Sequence, residues 1–272
     1  MKKYLSKIYL VLVFGILYIP ILTLILFSFN SSNSTAVFTG FSLEWYIELF
    51  KSEGTFEALR NSLILAVSSA LISTVIGTAA AEGIYKMRSK FAKAAITSVT
   101  NIPMMNPDIV TGMSMMLFFV AVAGILGITY ENIGFVAMLI SHVTFCLPYV
   151  ILSVLPRINE LGDSLSEAAL DLGCTPLQAF FKVKLPNIMP GVLSGMVMAF
   201  TMSLDDFVIS YFVGSSNFQT LPLLIYSMTK KKVTPDMYAL STLIIVTVFV
   251  LLVISNIKSG KRTADNGRRV KK

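Results

Sequence analysis

Six apolar runs constrain this chain more than anything else in it. They fall near residues 8–29, 60–84, 104–126, 133–154, 188–212 and 238–257. A helix needs about 20 predominantly apolar residues to cross the hydrocarbon core of a bilayer, and each run reaches that length. Only 14% of the residues are charged and the mean hydropathy is +0.75, whereas a soluble domain is about 25% charged. The expected fold is therefore all-α: a polytopic membrane protein with six transmembrane helices. The first run follows Lys2, Lys3 and Lys7 as a signal peptide would. Its apolar part, Ile8 to Phe29, is longer than the roughly 7–15 residues of a signal core. No small-x-small cleavage pattern follows promptly, so the run reads as a retained helix.

The sum of charge, +7, says less than its placement. Lys and Arg cluster before the first run (Lys2, Lys3, Lys7), between the second and third (Lys86, Arg88, Lys90, Lys93) and between the fourth and fifth (Arg157, Lys182, Lys184). A final cluster lies in the tail: Lys258, Lys261, Arg262, Arg268, Arg269, Lys271 and Lys272. These are seventeen of the 22 basic residues, against five (Lys51, Arg60 and Lys230–Lys232) in the alternate loops. Basic loops stay in the cytoplasm, so both termini are expected to be cytoplasmic. Lys230–Lys232 is the misfit and reads as a solvated loop. Because the basic residues sit at the ends of apolar runs, no nucleic-acid partner is expected. Cys146 and Cys174 have no metal spacing and read as small packing residues. The third run is broken by Asn101, Pro103, Asn106 and Pro107. Proline removes a backbone donor and kinks a helix, which is tolerated at membrane depth only beside protein or a water cavity. That segment is expected to line something.

Between the fourth and fifth runs lies EAALDLGCTPLQAFFKVKLPNIMPG, Glu167 to Gly191. Ser164 and Glu167 have the spacing of a capping box, with a helix following through Leu172. Gly173 suits the left-handed residue that closes a helix. Thr175 then caps a second helix with Pro176 at its first position, ending near Leu185-Pro186. On pattern alone this could be an ordinary cytoplasmic hairpin in which Glu167 is only a cap. However, Ala168 and Ala169 permit close approach of another backbone, and Phe180 and Phe181 offer aromatic anchors of the kind that dominate interfaces. A short apolar knob of this sort needs a partner to cover it.

The pattern Glu167-Ala168-Ala169, three residues, Gly173, nine residues, Val183, one residue, Leu185-Pro186 resembles the signature of ABC importer permeases, with Val183 where Ile is commonest. The segments FSLEWYIELF (Phe41–Phe50), NSLILAVSSALISTVIGTAAA (Asn61–Ala81), SLDDFVISYFVG (Ser203–Gly214) and TLPLLIYSM (Thr220–Met228) resemble spermidine/putrescine permeases, in particular the second of their two permease subunits. The resemblance implies a type I ABC importer permease fold with cytoplasmic coupling helices near 160–186. The core would be 57–255, preceded by a helix and external loop in 1–56 and followed by a basic tail, 256–272. It also implies partners: a dimer of ATP-binding subunits, a second homologous permease, an extracytoplasmic polyamine-binding protein and the lipid bilayer. The location implied is the inner membrane of a bacterium, crossed several times.

The acids fit such a substrate. Asp108, Asp205 and Asp206 fall in or beside the runs, where an ionised acid is costly and usually faces a pathway. Each ammonium of a polyamine needs a counter-charge when it leaves water. Asp206 is the first candidate, then Asp205, with Asp108 beside them and Phe207, Tyr211 and Phe212 offering cation–π faces. The plainer alternatives are that Asp205 and Asp206 cap or bond a loop near the outer surface, and that Asp108 caps the helix after Pro107. Glu82 is expected to pair with Lys86 four residues on. Trp45, Tyr46 and Phe50 form a patch for the membrane interface or a binding protein. Gly191 and Gly195 form a GxxxG pair for close helix packing, with the sister permease as a candidate neighbour.

No Walker A motif is present: the Gly260-Lys261 pair is followed by Arg262 and lacks its upstream glycine. ATP and magnesium are expected on a partner, and no cofactor on this chain. Rival readings are permeation of ferric iron or thiamine, a membrane anchor for an ATPase, and an intramembrane aspartyl protease. The last needs two carboxylates from separate helices about 3 Å apart, a geometry that adjacent Asp205 and Asp206 cannot give though Asp108 with Asp206 could; nothing else in the sequence supports it. His142, alone in the fourth run, reads as having no nearby ligands.

Overall fold

A computed structural model describes residues 2–32, 37–106, 108–215, 218–230, 236–247 and 249–250. The first helix, α1 (Lys2–Phe27), is followed by the short α2 (Glu44–Lys51) and by α3 (Glu53–Lys86), α4 (Lys90–Met105), α5 (Asp108–Leu126) and α6 (Tyr130–Leu161). Then come α7 (Ser164–Asp171), α8 (Pro176–Ala179), a single π-helical turn over Phe180–Lys184, α9 (Leu185–Leu204), α10 (Val208–Val213) and α11 (Leu221–Thr229). A last apolar helix, α12, covers Asp236–Thr247.

Five helices among the described residues are long and apolar enough to cross a membrane: Tyr9–Phe27, Gly54–Lys86, Asp108–Leu126, Ile133–Leu161 and Pro176–Leu204. The sixth expected run, 238–257, is represented by α12, and its end, like the tail 256–272, lies outside the described residues. The third run does not begin at 104. Residues 90–105 form a separate helix, started by Ser89, whose hydroxyl accepts from the Ala92 N–H at 3.3 Å. It stops at Asn106, held extended at φ −78° and ψ 143°, as the residue before a proline prefers. The fifth run, expected as one helix over 188–212, is cut between Leu204 and Val208.

The chain divides into two compact units, Met1–Leu59 with Leu223–Ile254, and Arg60–Pro222. In the first, Asn30 organises the turn after α1. Its side chain donates to Val37 O at 2.8 Å and accepts from Thr39 N–H at 2.9 Å, while the Trp45 indole donates to Asn30 O at 2.6 Å. Tyr46 bonds Ser28 at 2.7 Å. The polar tips of the aromatic patch are thus tied into this unit, and Phe50 stays exposed. Lys230 lies 4.7 Å from the Tyr226 ring centroid; Lys231 and Lys232 are outside the described residues.

In the second unit α6 is the axis. Its Met138, Cys146, Val150, Val154 and Ile158 are fully buried, in one core with Ile188 and Ala199 of α9, Phe119 of α5 and Leu65 of α3. A Cβ on Gly191 would come 2.9 Å from Ser153 O, and one on Gly195 would come 3.2 Å from Val150 Cα. The GxxxG pair therefore seats α9 against α6 of the same chain, which corrects the expectation of a sister subunit there. Gly77 does the same for α3, where a Cβ would lie 2.7 Å from a Val150 methyl. Small residues let backbones approach, and packing rather than hydrophobicity holds helices together in lipid.

Candidate functional site

The loop after α6 is a rigid elbow. Gly162, at φ +67°, ends α6 and turns the chain. Asp163 is the N-cap of α7, its side chain making no cap bond, and Ser164 is already helical. The expected capping box is therefore absent. The Glu167 N–H donates to Asp163 O at 2.9 Å, and its carboxylate is exposed. The turn at Gly162 starts the helix one residue earlier than the Ser-x-x-Glu spacing implied. The far end is as expected. Gly173 sits at φ +88°, and Cys174 N–H to Ala169 O at 3.0 Å with Gly173 N–H to Leu170 O at 2.9 Å complete a Schellman closure. Thr175 caps α8 through a capping box with Gln178, and Pro176 takes the first turn.

The second helix of the elbow does not end at Leu185-Pro186. It widens through the π turn and continues as α9. Pro186 has no N–H and its ring crowds the carbonyl four residues back. The wider turn, closed by Leu185 N–H onto Phe180 O, takes up that mismatch. Ala169 and Ala179 face inward, and Phe180 and Leu185 are half-buried. Ala168, Gly173 and Pro186 are exposed, as are Leu172 (86%), Leu177 (71%) and Phe181 (61%). The elbow thus presents an apolar surface on a backbone with little freedom.

The other candidate site lies at the break in the fifth run. Asp205 is the C-cap of α9, its N–H bonded to Thr201 O, and its side chain is exposed. The Asp206 carboxylate accepts from Ser210 N–H at 2.9 Å and Ile209 N–H at 3.4 Å, capping α10. The two acids stand in a non-helical link, so helical rotation does not set their directions. The capping alternative holds for Asp206, whose side chain is only 6% exposed. Asp108 is exposed at the first residue of α5, the helix whose Gly112 packs against Phe212 of α10. Tyr211 is 44% exposed and tilted on Phe207 at 5.5 Å between centroids.

His142 was missed. Far from lacking neighbours, its fully buried ring has Nδ1 at 2.8 Å from Ser203 Oγ and Nε2 at 3.2 Å from Ser210 Oγ and 3.6 Å from Asp206 Oδ2. Ser69 of α3 donates to Ser203 at 2.8 Å, so the ring links that serine pair to Ser210 and Asp206. One polar chain thus joins α3, α9, α6 and α10. The sequence signal was the His itself, because a polar ring in mid-span needs partners. Its partners are 61 and 68 residues away and no spacing reveals them.

Known proteins resemble this chain in fold and sequence. The crystal structure of a bacterial ABC transporter involved in the import of the acidic polysaccharide alginate superposes with a TM-score of 0.77, covering 96% of this chain and 94% of that one at 18% identity. At that identity the likeness concerns the fold alone. The putrescine transport system permease protein PotI of Escherichia coli (strain K12) is 40% identical over 236 residues, 87% of this chain and 84% of that protein. The spermidine/putrescine transport system permease protein PotC of the same strain is 38% identical over 259 residues, 95% of each. The model of the family described as "binding-protein-dependent transport system inner membrane component" matches residues 73–258. A multi-pass helical chain with this elbow, this fold and this match belongs to that family, the membrane-spanning permease subunits of ABC importers.

Proposed function

We propose that this permease moves polyamines, putrescine or spermidine, across a bacterial inner membrane by alternating access, with both termini in the cytoplasm. The observation that most supports the substrate class is the likeness to a spermidine/putrescine permease along 95% of the chain. The acid chemistry agrees with it. Asp206 and Asp108 bring negative charge to the break between α9 and α10, and Asp205 and Tyr211 stand beside it. Ammonium groups losing water would find counter-charge and an aromatic face there.

In this reading the Glu167–Pro186 elbow docks on an ATP-binding subunit through Ala168, Phe181 and the exposed leucines. ATP and magnesium are held by a dimer of that partner. A second, homologous permease completes the pathway, and an extracytoplasmic binding protein delivers the solute. Closure of the ATPase dimer moves the elbow. The helix from Pro176 to Leu204 has 29 residues, about 43 Å at 1.5 Å per residue, and it carries that movement to the Asp205–Asp206 link.

The test is reconstitution of the complex, asking which solute-loaded binding protein raises ATP turnover. Stimulation by polyamine-loaded protein is expected, and stimulation by a ferric iron or thiamine carrier instead would refute the substrate. Asp206→Asn removes the charge and one of the two α10 cap bonds, because the amide oxygen still accepts but the amide nitrogen that replaces the other oxygen cannot. Polyamine uptake should fall for Asp206→Asn and Asp108→Asn at normal membrane levels.

A further inference from the structure

Lys184 lies in the π turn and is only 2% exposed. A buried ammonium is tolerated only when paired, and its partner comes from another helix. Lys184 Nζ lies 3.0 Å from Oε1 and 2.9 Å from Oε2 of Glu82, near the end of α3. It also sits 4.4 Å from the centroid of the Tyr85 ring, one α3 turn on. Lys86 pairs with the same carboxylate at 3.1 Å but is 65% exposed, so the expected Glu82–Lys86 bridge is the outer half of a cluster whose inner half is Lys184.

The π turn is what brings this lysine to α3. One extra residue rotates the elbow by about 100° relative to the body of α9. The elbow can therefore keep its own exposed face while Lys184 turns inward. Such turns are frequent at functional sites.

We infer that Glu82 and Lys184, seated on Tyr85, are a positioning pair that fastens the elbow to α3. Displacement of the elbow then reaches the bundle by two routes, along α9 through the continuous backbone and into α3 through the ion pair. The α3 route leads to Ser69, where the polar chain to His142 begins. This inference rests on the proposal that the elbow meets an ATPase.

The test uses the complete transporter in lipid nanodiscs, with complex recovery, basal ATP turnover and solute moved per ATP measured together. Glu82→Gln and Lys184→Gln should each keep the ATPase bound and turning over. Solute moved per ATP should fall about tenfold, within the ordinary span of site-to-site coupling. The exchanged pair, Glu82→Lys with Lys184→Glu, should return most of it, since the exposed Lys86 can swing into water. The apolar pair, Glu82→Leu with Lys184→Met, guards against simple misfolding, because such replacements generally keep a protein folded. It should assemble but stay uncoupled. Wild-type solute per ATP in the apolar pair, or in either single variant, would overturn the inference, as would an exchanged pair no better than the singles. If the unaltered chain recovers no ATPase, the docking proposal fails instead, and the two failures are distinguishable.

Discussion

Replacing His142 in three ways separates the arms of the polar chain. Asparagine can imitate Nδ1 and keep Ser203, but it cannot reach Ser210 and Asp206. Glutamine can imitate Nε2 and keep the Asp206 side. Alanine removes both arms and leaves a hole in a fully buried site. Hydrogen bonds between membrane helices are worth about 0.6 kcal/mol each on average, up to about 1.7. His142→Asn and His142→Gln should therefore each cost about 1 kcal/mol. For His142→Ala the large-to-small term dominates, at about 3–5 kcal/mol by analogy with aromatic truncations. Thermal unfolding in detergent should show Tm lowered by a few degrees for the first two and by on the order of 10 °C for the third. Uptake should separate the pair that stability does not. His142→Asn leaves Asp206 without its contact to the ring and should transport less than His142→Gln. Equal uptake by the two variants, or an unchanged Tm for His142→Ala, would refute the role given to this ring.

Gly191→Leu should abolish accumulation of folded protein, because even a Cβ there comes 2.7 Å from Arg157 Cγ and 2.9 Å from Ser153 O and overpacking costs about 1–3 kcal/mol or more; membrane levels by immunoblot report it. Thr175→Ala removes the α8 capping box and should cost about 1 kcal/mol, seen as a small drop in Tm. Leu172→Asp, at a position 86% exposed, should leave Tm unchanged yet prevent recovery of the ATP-binding subunit in a pull-down. A normal yield of ATPase with that variant would place the docking surface elsewhere.

Run length was enough to read the membrane class, since lipid forces apolar stretches of about 20 residues. Local chemistry was enough for the turn at Gly173 and the cap at Thr175, because both are decided within a few residues. Features that depend on a remote partner were not legible. The break at Asp205, also missed, is the exception, since Asp206 holds it by bonding to Ser210 only four residues on. Lys184 read as one more basic loop residue, because Glu82 lies 102 positions away. Gly191 and Gly195 announced a close neighbour but not which one, and α6 took the place given to another subunit. The Ser164–Glu167 box failed for a local reason: Gly162 had already reversed the chain and Asp163 opened the helix.

The unbroken rod from Pro176 to Leu204 also works in reverse. A stiff connection has no preferred direction, so on the proposed function a shift of its Leu204 end when cargo settles beside Asp206 would be felt at its other end, at Thr175 and Phe181. Linkage requires the two effects to match in free energy. On that proposal a loaded permease and an empty one grip the ATP-binding partner with different strength, and the ratio of those grips sets how far nucleotide can shift the affinity for cargo.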